Sequence, residues 1–207
     1  MTGSKPHSPS ADRNKQAILE ALQSLLAGDE RILEIGSGTG QHACHIGSAM
    51  TNIVWQPTEL AENLTGIKRW VEDAGCTNVL NPIALDLTSI DTTLKGFDVC
   101  FSANTLHIVS WQLVQALFKY AASAVDESGK LIIYGPFTVD GQHNSEGNRL
   151  FDEQLRTSDP HSGIRDLNDL NQLASVHGFR SASVVEMPAN NKLLCWQRAG
   201  SFDATAS

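Results

Sequence analysis

A short, mostly apolar run that leads directly into glycines constrains the fold of this chain more than any other feature. The run is RILEI at residues 31–35, and GSGTG follows at residues 36–40, before a helical pattern begins. Glycines at this place permit a tight turn and let a ligand approach the backbone closely. The segment therefore predicts a strand, a loop and a helix, with a ligand site at the loop.

The rest of the chain repeats the alternation of strands and helices. Apolar periodicity predicts further elements. The predicted helices are 12–27, 41–50, 60–75, 111–125, 147–157 and 166–177. The predicted strands are 31–35, 52–56, 78–87, 97–104, 129–137, 181–188 and 192–198, with an interruption near Pro82 in the third. Asp12 is the expected N-cap of the first helix and Gly28 its expected stop. This order predicts an α/β fold whose mostly parallel, seven-stranded sheet has helices on both faces and ends in an antiparallel hairpin.

Length and charge restrict the domain organisation and the class of partner. The 207 residues fit one domain, which we expect at 11–198, with flexible ends at 1–10 and 199–207. The formal net charge of −8 disfavours nucleic acid as a partner, because phosphate binding needs a basic surface. The polar N-terminus does not resemble a signal peptide, and no apolar run is long enough to span a membrane.

The cysteines and histidines raise the question of a metal site. The cysteines form no C-x-x-C pair, which indicates free thiols in the reducing cytoplasm; they are Cys44, Cys76, Cys100 and Cys195. His42 and His45 share one face of the helix that follows the glycines, whereas Cys44 points elsewhere. No other cluster completes a ligand set, so the segment HACH predicts the start of a helix and no metal site.

Three acids near the predicted strand ends indicate which ligand the glycine loop binds. Glu34 stands two residues before Gly36, Glu59 follows the second strand, and Asp86 follows the third. Carboxylates suit the ammonium and sulfonium groups of S-adenosylmethionine but repel the pyrophosphate of a dinucleotide. Gln41 also stands where a nicotinamide-binding fingerprint has its third glycine. The arrangement resembles the first motif of class I S-adenosylmethionine-dependent methyltransferases.

The resemblance to this Rossmann-like class implies a set of cofactor-binding residues and a region for chemistry. The expected cofactor-binding residues are Glu34, Gly36, Ser37, Gly38, Gly40, His42, Glu59, Asp86, Leu87 and Asn104. His107, in the segment ANTLHIVSW, is a candidate general base, with a packing or capping role as the alternative. Tyr134, in the segment YGPF, is the other catalytic candidate; its ring would lie at the transferred methyl group or belong to the core.

Motifs outside the cofactor region are similar to those of a narrower family. The chain resembles the methyltransferase-like 26 family, also named domain of unknown function 938, through the segments RNKQAIL, EIGSGTGQHA, YGPF, NRLFDEQLR, GIRD and MPANN and the pair Trp55 and Pro57. The resemblance implies no substrate. The substrate-pocket candidates are Arg13, Asn14, Phe137, Asn144, Arg165, Asn190 and Asn191. Arg165 has a structural ion pair as its alternative role, and Asn190 and Asn191 suit a tight turn equally well.

The sequence thus predicts a cytoplasmic S-adenosylmethionine-dependent methyltransferase, with S-adenosylhomocysteine as its product and a small molecule as the acceptor. One alternative is a catalytically silent cofactor-binding or protein-interaction module, because a fold alone does not establish activity. Another is a nicotinamide-dependent oxidoreductase, which Glu34 and Gln41 disfavour. The acceptor and the oligomeric state are open.

Overall fold

The computed structural model describes residues 5–89 and 94–200. The helices are α1 (Pro9–Leu25), α2 (Gln41–Ala49), α3 (Leu64–Ala74), α4 (Trp111–Ala124), α5 (Glu146–Ser158) and α6 (Leu167–Val176), with 3₁₀ turns at Ala61–Asn63 and Pro188–Asn190. In this part of the chain, no helix combines the length and apolarity needed to cross a bilayer.

Seven strands form one sheet, as predicted. The strands of the chain are β1 (Arg31–Ile35), β2 (Val54–Glu59), β3 (Ile83–Ala84), β4 (Phe97–Ala103), β5 (Val125–Gly135), β6 (Phe137–Thr138), β7 (Arg165–Asp166), β8 (Ser183–Met187) and β9 (Asn191–Gln197). The sheet order is β3-β2-β1-β4-β5-β9-β8, and β9 is antiparallel to both of its neighbours. The short strands β6 and β7, which were not predicted, pair with each other outside this sheet. The Rossmann-like architecture with an antiparallel C-terminal hairpin is confirmed.

Helices cover both faces of the sheet, so its central strands are buried on both sides. Along β5, Leu131 and Ile133 belong to the core cluster on one face, whereas Ile132 and Tyr134 belong to the cluster on the other. Alternation of this kind follows from the two-residue period of a strand. It explains why these strands appear in the sequence as continuous apolar runs.

The first helix begins earlier than predicted, so the proposed N-cap was wrong. The Ser8 side chain accepts a hydrogen bond from the Ala11 amide at 3.2 Å, and Pro9 occupies the first turn. Serine at the N-cap with proline directly after it is a strong start signal, because the first amides have no partner within the helix. Asp12 lies inside the first turn and pairs with Lys15.

The end of that helix and its N-terminal extension also differ from the prediction. Leu26, not Gly28, is the C-cap. Residues expected to belong to a flexible N-terminus contact the domain: the Trp70 indole donates to the Pro6 carbonyl at 2.7 Å, and the Ser8 amide donates to Gln41 Oε1 at 2.5 Å. The predicted ends at 1–4 and 201–207 lie outside the described residues. The proposed domain limits stay a prediction.

The third strand is much shorter than the predicted segment 78–87. Only Ile83–Ala84 pairs with β2, and Val79 makes an isolated bridge to Trp55. Pro82 stands between them and has no amide hydrogen for a ladder. The Asn78 side chain donates to the carbonyls of residues 47, 50 and 53 instead, which closes the loop between α2 and β2.

Candidate functional site

The glycine loop between β1 and α2 lies at the carboxyl end of the sheet, where β1 is flanked by β2 and β4. Chains with this topology bind ligands at such a reversal of strand order. The amides of Gly36 and Ser37 both donate to the Thr58 carbonyl, at 3.1 and 3.0 Å. Gly38 has a φ of +55° and nothing within 4 Å of the position a Cβ would take. The loop is therefore held by β2 on one side, and the side at Gly38 is open.

A cavity of about 360 Å³ lies over this loop. Its lining comes from the loop at residues 36–39, the end of β4 at 103–105, the N-terminal segment, His42 and Asn63. Asn104 has a left-handed backbone, with a φ of +57°, a conformation that asparagine tolerates better than most residues. We call this space the first cavity; small and polar residues form most of its lining.

Glu34 lies beneath the loop rather than in the lining of the first cavity. It is 1% exposed, and its carboxylate accepts a hydrogen bond from the Trp55 indole at 3.0 Å. Burial raises the pKa of Glu34 to about 7, although hydrogen bonds from Trp55 and Ser37 act in the opposite direction. Its visible role is to join β1, β2 and the loop.

The other two predicted cofactor acids bind main-chain amides. Glu59 Oε2 accepts from the Gly38 amide at 2.7 Å, which fixes the loop from the end of β2. Asp86 accepts from the amide and the hydroxyl of Thr88, at 2.8 and 2.7 Å, and Leu87 packs partly against the core. Neither Asp86 nor Leu87 lines the first cavity as it is described.

A second cavity of about 520 Å³ adjoins the first and shares Ser10 and Asn104 with it. Three predicted substrate-pocket residues and both catalytic candidates line it: Arg13, Asn14, Asn191, His107 and Tyr134. The sequence predicted that Phe151 covers the active site or packs on the sheet, and that Pro136 lies at the transferred methyl group; both line this cavity. Sequence reasoning missed the other lining residues, which are Ala17, Ile108, Asn148, Pro188 and Ala189. The sequence feature that could have identified the missed residues is that several of them belong to the family-specific segments.

Four other substrate-pocket candidates lie outside this lining. Phe137 is buried in the core. The Arg165 guanidinium donates to the carbonyls of residues 106, 109 and 161, at 3.0, 2.5 and 2.9 Å, so it braces the turn that carries His107. Asn144 donates to the Asn190 carbonyl at 2.9 Å, which joins the loop before α5 to the hairpin. Asn190 has the left-handed backbone expected of a tight turn, with a φ of +58°.

A chain of hydrogen bonds connects the two cavities. His42 Nε2 lies 2.7 Å from Asn14 Oδ1, and the side chains of Asn14 and Asn191 both hydrogen-bond to the phenol of Tyr134. Burial lowers the pKa of His42 to about 4, so its ring is neutral at physiological pH. An amide oxygen only accepts, so His42 must carry its proton on Nε2. A residue of the first cavity is thus joined to the phenol in the second.

Both catalytic candidates have environments that determine their protonation. Burial, followed by the charge of Arg165, lowers the pKa of His107 to about 4. Its ring contacts Phe151 edge-on, with 5.4 Å between centroids. Burial raises the pKa of Tyr134 above its usual value. At neutral pH the second cavity therefore contains a neutral imidazole, which accepts a proton, and a neutral phenol, which donates one.

The segment HACH begins α2, as predicted. His45 Nε2 lies 3.1 Å from Gln16 Oε1, and Cys44 is buried, which raises its pKa to about 12. Among the described residues, no group of three or more histidine, cysteine or acidic side chains is arranged to hold a metal ion. All four cysteines are free thiols.

Among the solved structures with the same fold, two are described as methyltransferases and one as bound to SAH. The S-adenosylmethionine-dependent methyltransferase SibL superposes with a TM-score of 0.78 at 20% identity, over 91% of this chain and 55% of that one. PigF with SAH gives 0.76 at 17%, over 91% and 63%. An O-methyltransferase family 2 protein from Planctomyces limnophilus in complex with apigenin gives 0.77 at 15%, over 91% and 60%. At such identities the similarity shows the fold, and the chain spans only 55–63% of the length of these proteins.

A protein-family comparison covers almost the whole chain. The family described as "Protein of unknown function (DUF938)" matches residues 5–198. This confirms the resemblance to domain of unknown function 938, whereas the narrower name methyltransferase-like 26 stays a prediction.

Proposed function

The chain belongs to the family described as "Protein of unknown function (DUF938)", and we propose that it is an S-adenosylmethionine-dependent methyltransferase that acts on a small molecule. One observation carries the proposal: two cavities, one over the glycine loop and the other lined in part by the neutral side chains of His107 and Tyr134, meet at Asn104. Methyl transfer needs such an arrangement, because the methyl donor and the acceptor must lie in line and away from water.

The residues of the first cavity fit the cofactor. Gly38 leaves open space above the loop, and polar side chains of the loop and of Asn63 and Asn104 face the same cavity. Glu59, at the end of β2, lies next to this space and already holds the Gly38 amide, as expected of an acid that binds ribose hydroxyls. S-adenosylmethionine, when bound here, supplies an activated methyl group. Asp86 and Leu87 remain candidates for its adenine end.

The residues of the second cavity fit an acceptor that loses a proton. We assign to His107 the role of general base, since its imidazole is neutral at physiological pH and lines the cavity next to Asn104. Arg165 positions His107 by binding the carbonyls of its turn. Tyr134 donates a hydrogen bond and positions the acceptor.

A catalytically silent module is the second candidate, and one observation favours it. A pKa of about 4 makes His107 a weak base, and a general base works best when its pKa lies near the working pH. A silent module would bind S-adenosylmethionine without releasing S-adenosylhomocysteine in the presence of any acceptor.

Isothermal titration with S-adenosylmethionine tests the cofactor assignment. We expect a single site, and absence of binding at millimolar cofactor would end the proposal. Incubation of a metabolite extract with methyl-labelled cofactor then tests catalysis, with mass spectrometry to identify labelled products. Cofactor binding without any labelled product would favour the silent module.

The remaining assignments have their own tests. Cytoplasmic location stays a prediction, which imaging of the tagged chain would check. The predicted absence of nucleic-acid and membrane partners rests on the net charge of −8 and the lack of long apolar runs.

A further inference from the structure

The second cavity has the opposite charge character to the rest of the chain. The protein carries 23 acidic side chains against 15 of lysine and arginine. Yet Arg13 is the one permanently charged residue in the lining of this cavity, and no carboxylate among the described residues lines it. A cavity with a cation and no acid, in an acidic protein, favours an anionic ligand.

Arg13 is available for such a ligand. Its guanidinium donates to Ser10 Oγ at 3.2 Å, and it forms no salt bridge within the part of the chain that the structure describes. Asp12 stands beside it in sequence but pairs with Lys15. A guanidinium presents several N–H groups in a plane, so most of them remain free to bind a carboxylate in a bidentate manner.

Tyr134 supplies a second polar group to the same lining. Asn14 and Asn191 hydrogen-bond to its phenol, and burial raises the pKa of Tyr134, so the phenol stays protonated. Asn191 Nδ2 also donates to the carbonyls of Pro188 and Ala189, at 3.2 and 3.5 Å. While its oxygen accepts from an amide, a protonated phenol can donate its one hydrogen to an acceptor atom on a ligand.

Apolar side chains form much of the remaining wall. Phe151 and Pro136 stand with Ile108 and Pro188 around a space of about 520 Å³, beside the polar side chains of Ser10, Asn104 and Asn148. An apolar wall with a few polar groups suits a ligand with a hydrocarbon body, and the volume suits a small molecule rather than a polymer.

We propose that the second cavity binds a small organic acid, with its carboxylate at Arg13, a further acceptor atom at the Tyr134 hydroxyl and its apolar body against Phe151. This inference rests on the proposed function, because it names the class of methyl acceptor.

Titration with a matched pair of probes tests the charge preference. Para-hydroxybenzoate and para-hydroxybenzamide have nearly the same shape but differ in charge, and each is titrated into the protein with and without saturating S-adenosylhomocysteine. We expect the acid to bind at least about fivefold more tightly than the amide. Arg13→Gln should remove this ratio. Lys15→Gln removes the same charge two residues away, outside the cavity lining, and should preserve it.

Tyr134→Phe provides a second variant that keeps the ring. It should weaken the acid and the amide by a similar factor, because both ligands offer acceptor atoms. The inference is overturned if the amide binds as tightly as the acid, if Arg13→Gln leaves the ratio unchanged, or if the acid does not bind at roughly 10 mM. Failure of S-adenosylhomocysteine to bind would instead count against the proposed function, and the titrations without it would still test the charge preference.

Discussion

The two cavities are built in different ways. The first is mainly local: a short loop after β1 and the end of β4 supply most of its lining residues, and the acids Glu34 and Glu59, outside the lining, hold the loop itself. The second is made of residues from five separate parts of the chain. A site formed by one loop depends on the conformation of that loop, whereas a site assembled from distant segments depends on each of its side chains. The first therefore suits a ligand common to a fold, and the second suits a ligand particular to a family.

The largest expected effect is the loss of cofactor binding in Gly38→Asp. The new side chain would fill the open space above the loop, and aspartate strains a backbone with a φ of +55°. Isothermal titration should detect no binding of S-adenosylmethionine. Gly75→Asp is the matched control, because Gly75 has a φ of +63° and open surroundings but ends α3, outside the first cavity. Equal loss in both variants would mean that backbone strain, not the cavity, explains the result.

His107→Ala should impair catalysis in the second cavity without affecting cofactor binding in the first. We expect methyl transfer to fall by about 10²-fold or more while the cofactor Kd is unchanged. With its pKa lowered to about 4, His107 should stay deprotonated from pH 8 down to pH 5.5, so the rate of the wild-type protein should not fall near the usual histidine pKa. His161→Ala, which changes an exposed imidazole, is the control. A rate that halves near pH 6.5 would contradict the burial of His107.

Glu34→Gln should change the pH dependence of stability. The folded-state pKa of about 7 lies above the usual 4.5, so the folded protein retains a proton that the unfolded chain has lost. Wild-type stability should consequently decrease between pH 4.5 and 7, by at most a few kcal/mol. Urea unfolding at pH 5 and pH 8 measures the free energy of unfolding, and the glutamine variant should gain stability relative to wild type at the higher pH. If the difference in unfolding free energy between variant and wild type is the same at both pH values, Glu34 is not desolvated.

Asn14→Ala should have a smaller effect, but on both cavities. Asn14 contacts His42 on one side and Tyr134 on the other, and each lost hydrogen bond has a net value of about 1 kcal/mol. We expect roughly fivefold weaker binding of cofactor and of acceptor alike. Lys15→Gln, next to it on α1, should change neither. An effect confined to one ligand would show that the hydrogen-bond chain does not couple the cavities.

Much of the fold could be predicted because its signals are local. Apolar strands between amphipathic helices, with glycines after β1, indicate an α/β sheet, and the spacing of β8 and β9 indicates a hairpin. The errors also have local causes. Asp12 and Ser8 are both acceptable N-caps, and proline directly after Ser8 was the signal that separated them. The interruption of the third strand near Pro82 was predicted, but the part that pairs with β2 is shorter than expected and covers only Ile83–Ala84.

The residues of both cavities were predicted only in part, because local sequence signals identify the ends of strands but not the direction of side chains beyond them. The expected cofactor residues came from strand ends and from the resemblance to class I methyltransferases, and Gly36, Gly38 and Asn104 of that set line the first cavity. Arg165 and Phe137 were also proposed, but Arg165 braces a turn and Phe137 packs in the core. Spacing along the chain does not show in which direction a side chain points once the chain leaves a strand. Asn148 was missed for that reason, since α5 reaches the second cavity only through tertiary packing.

The sequence by itself determined the order of the elements, the glycine loop and the helix that begins at HACH, because neighbouring residues and backbone sterics decide these features. Only the tertiary structure decided which side chains share a cavity and which protons they carry. His42, Asn14 and Tyr134 come from three distant parts of the chain and meet as the helices pack on the sheet. Burial then keeps His42 and His107 neutral, and desolvation of this kind exists only once the protein has folded.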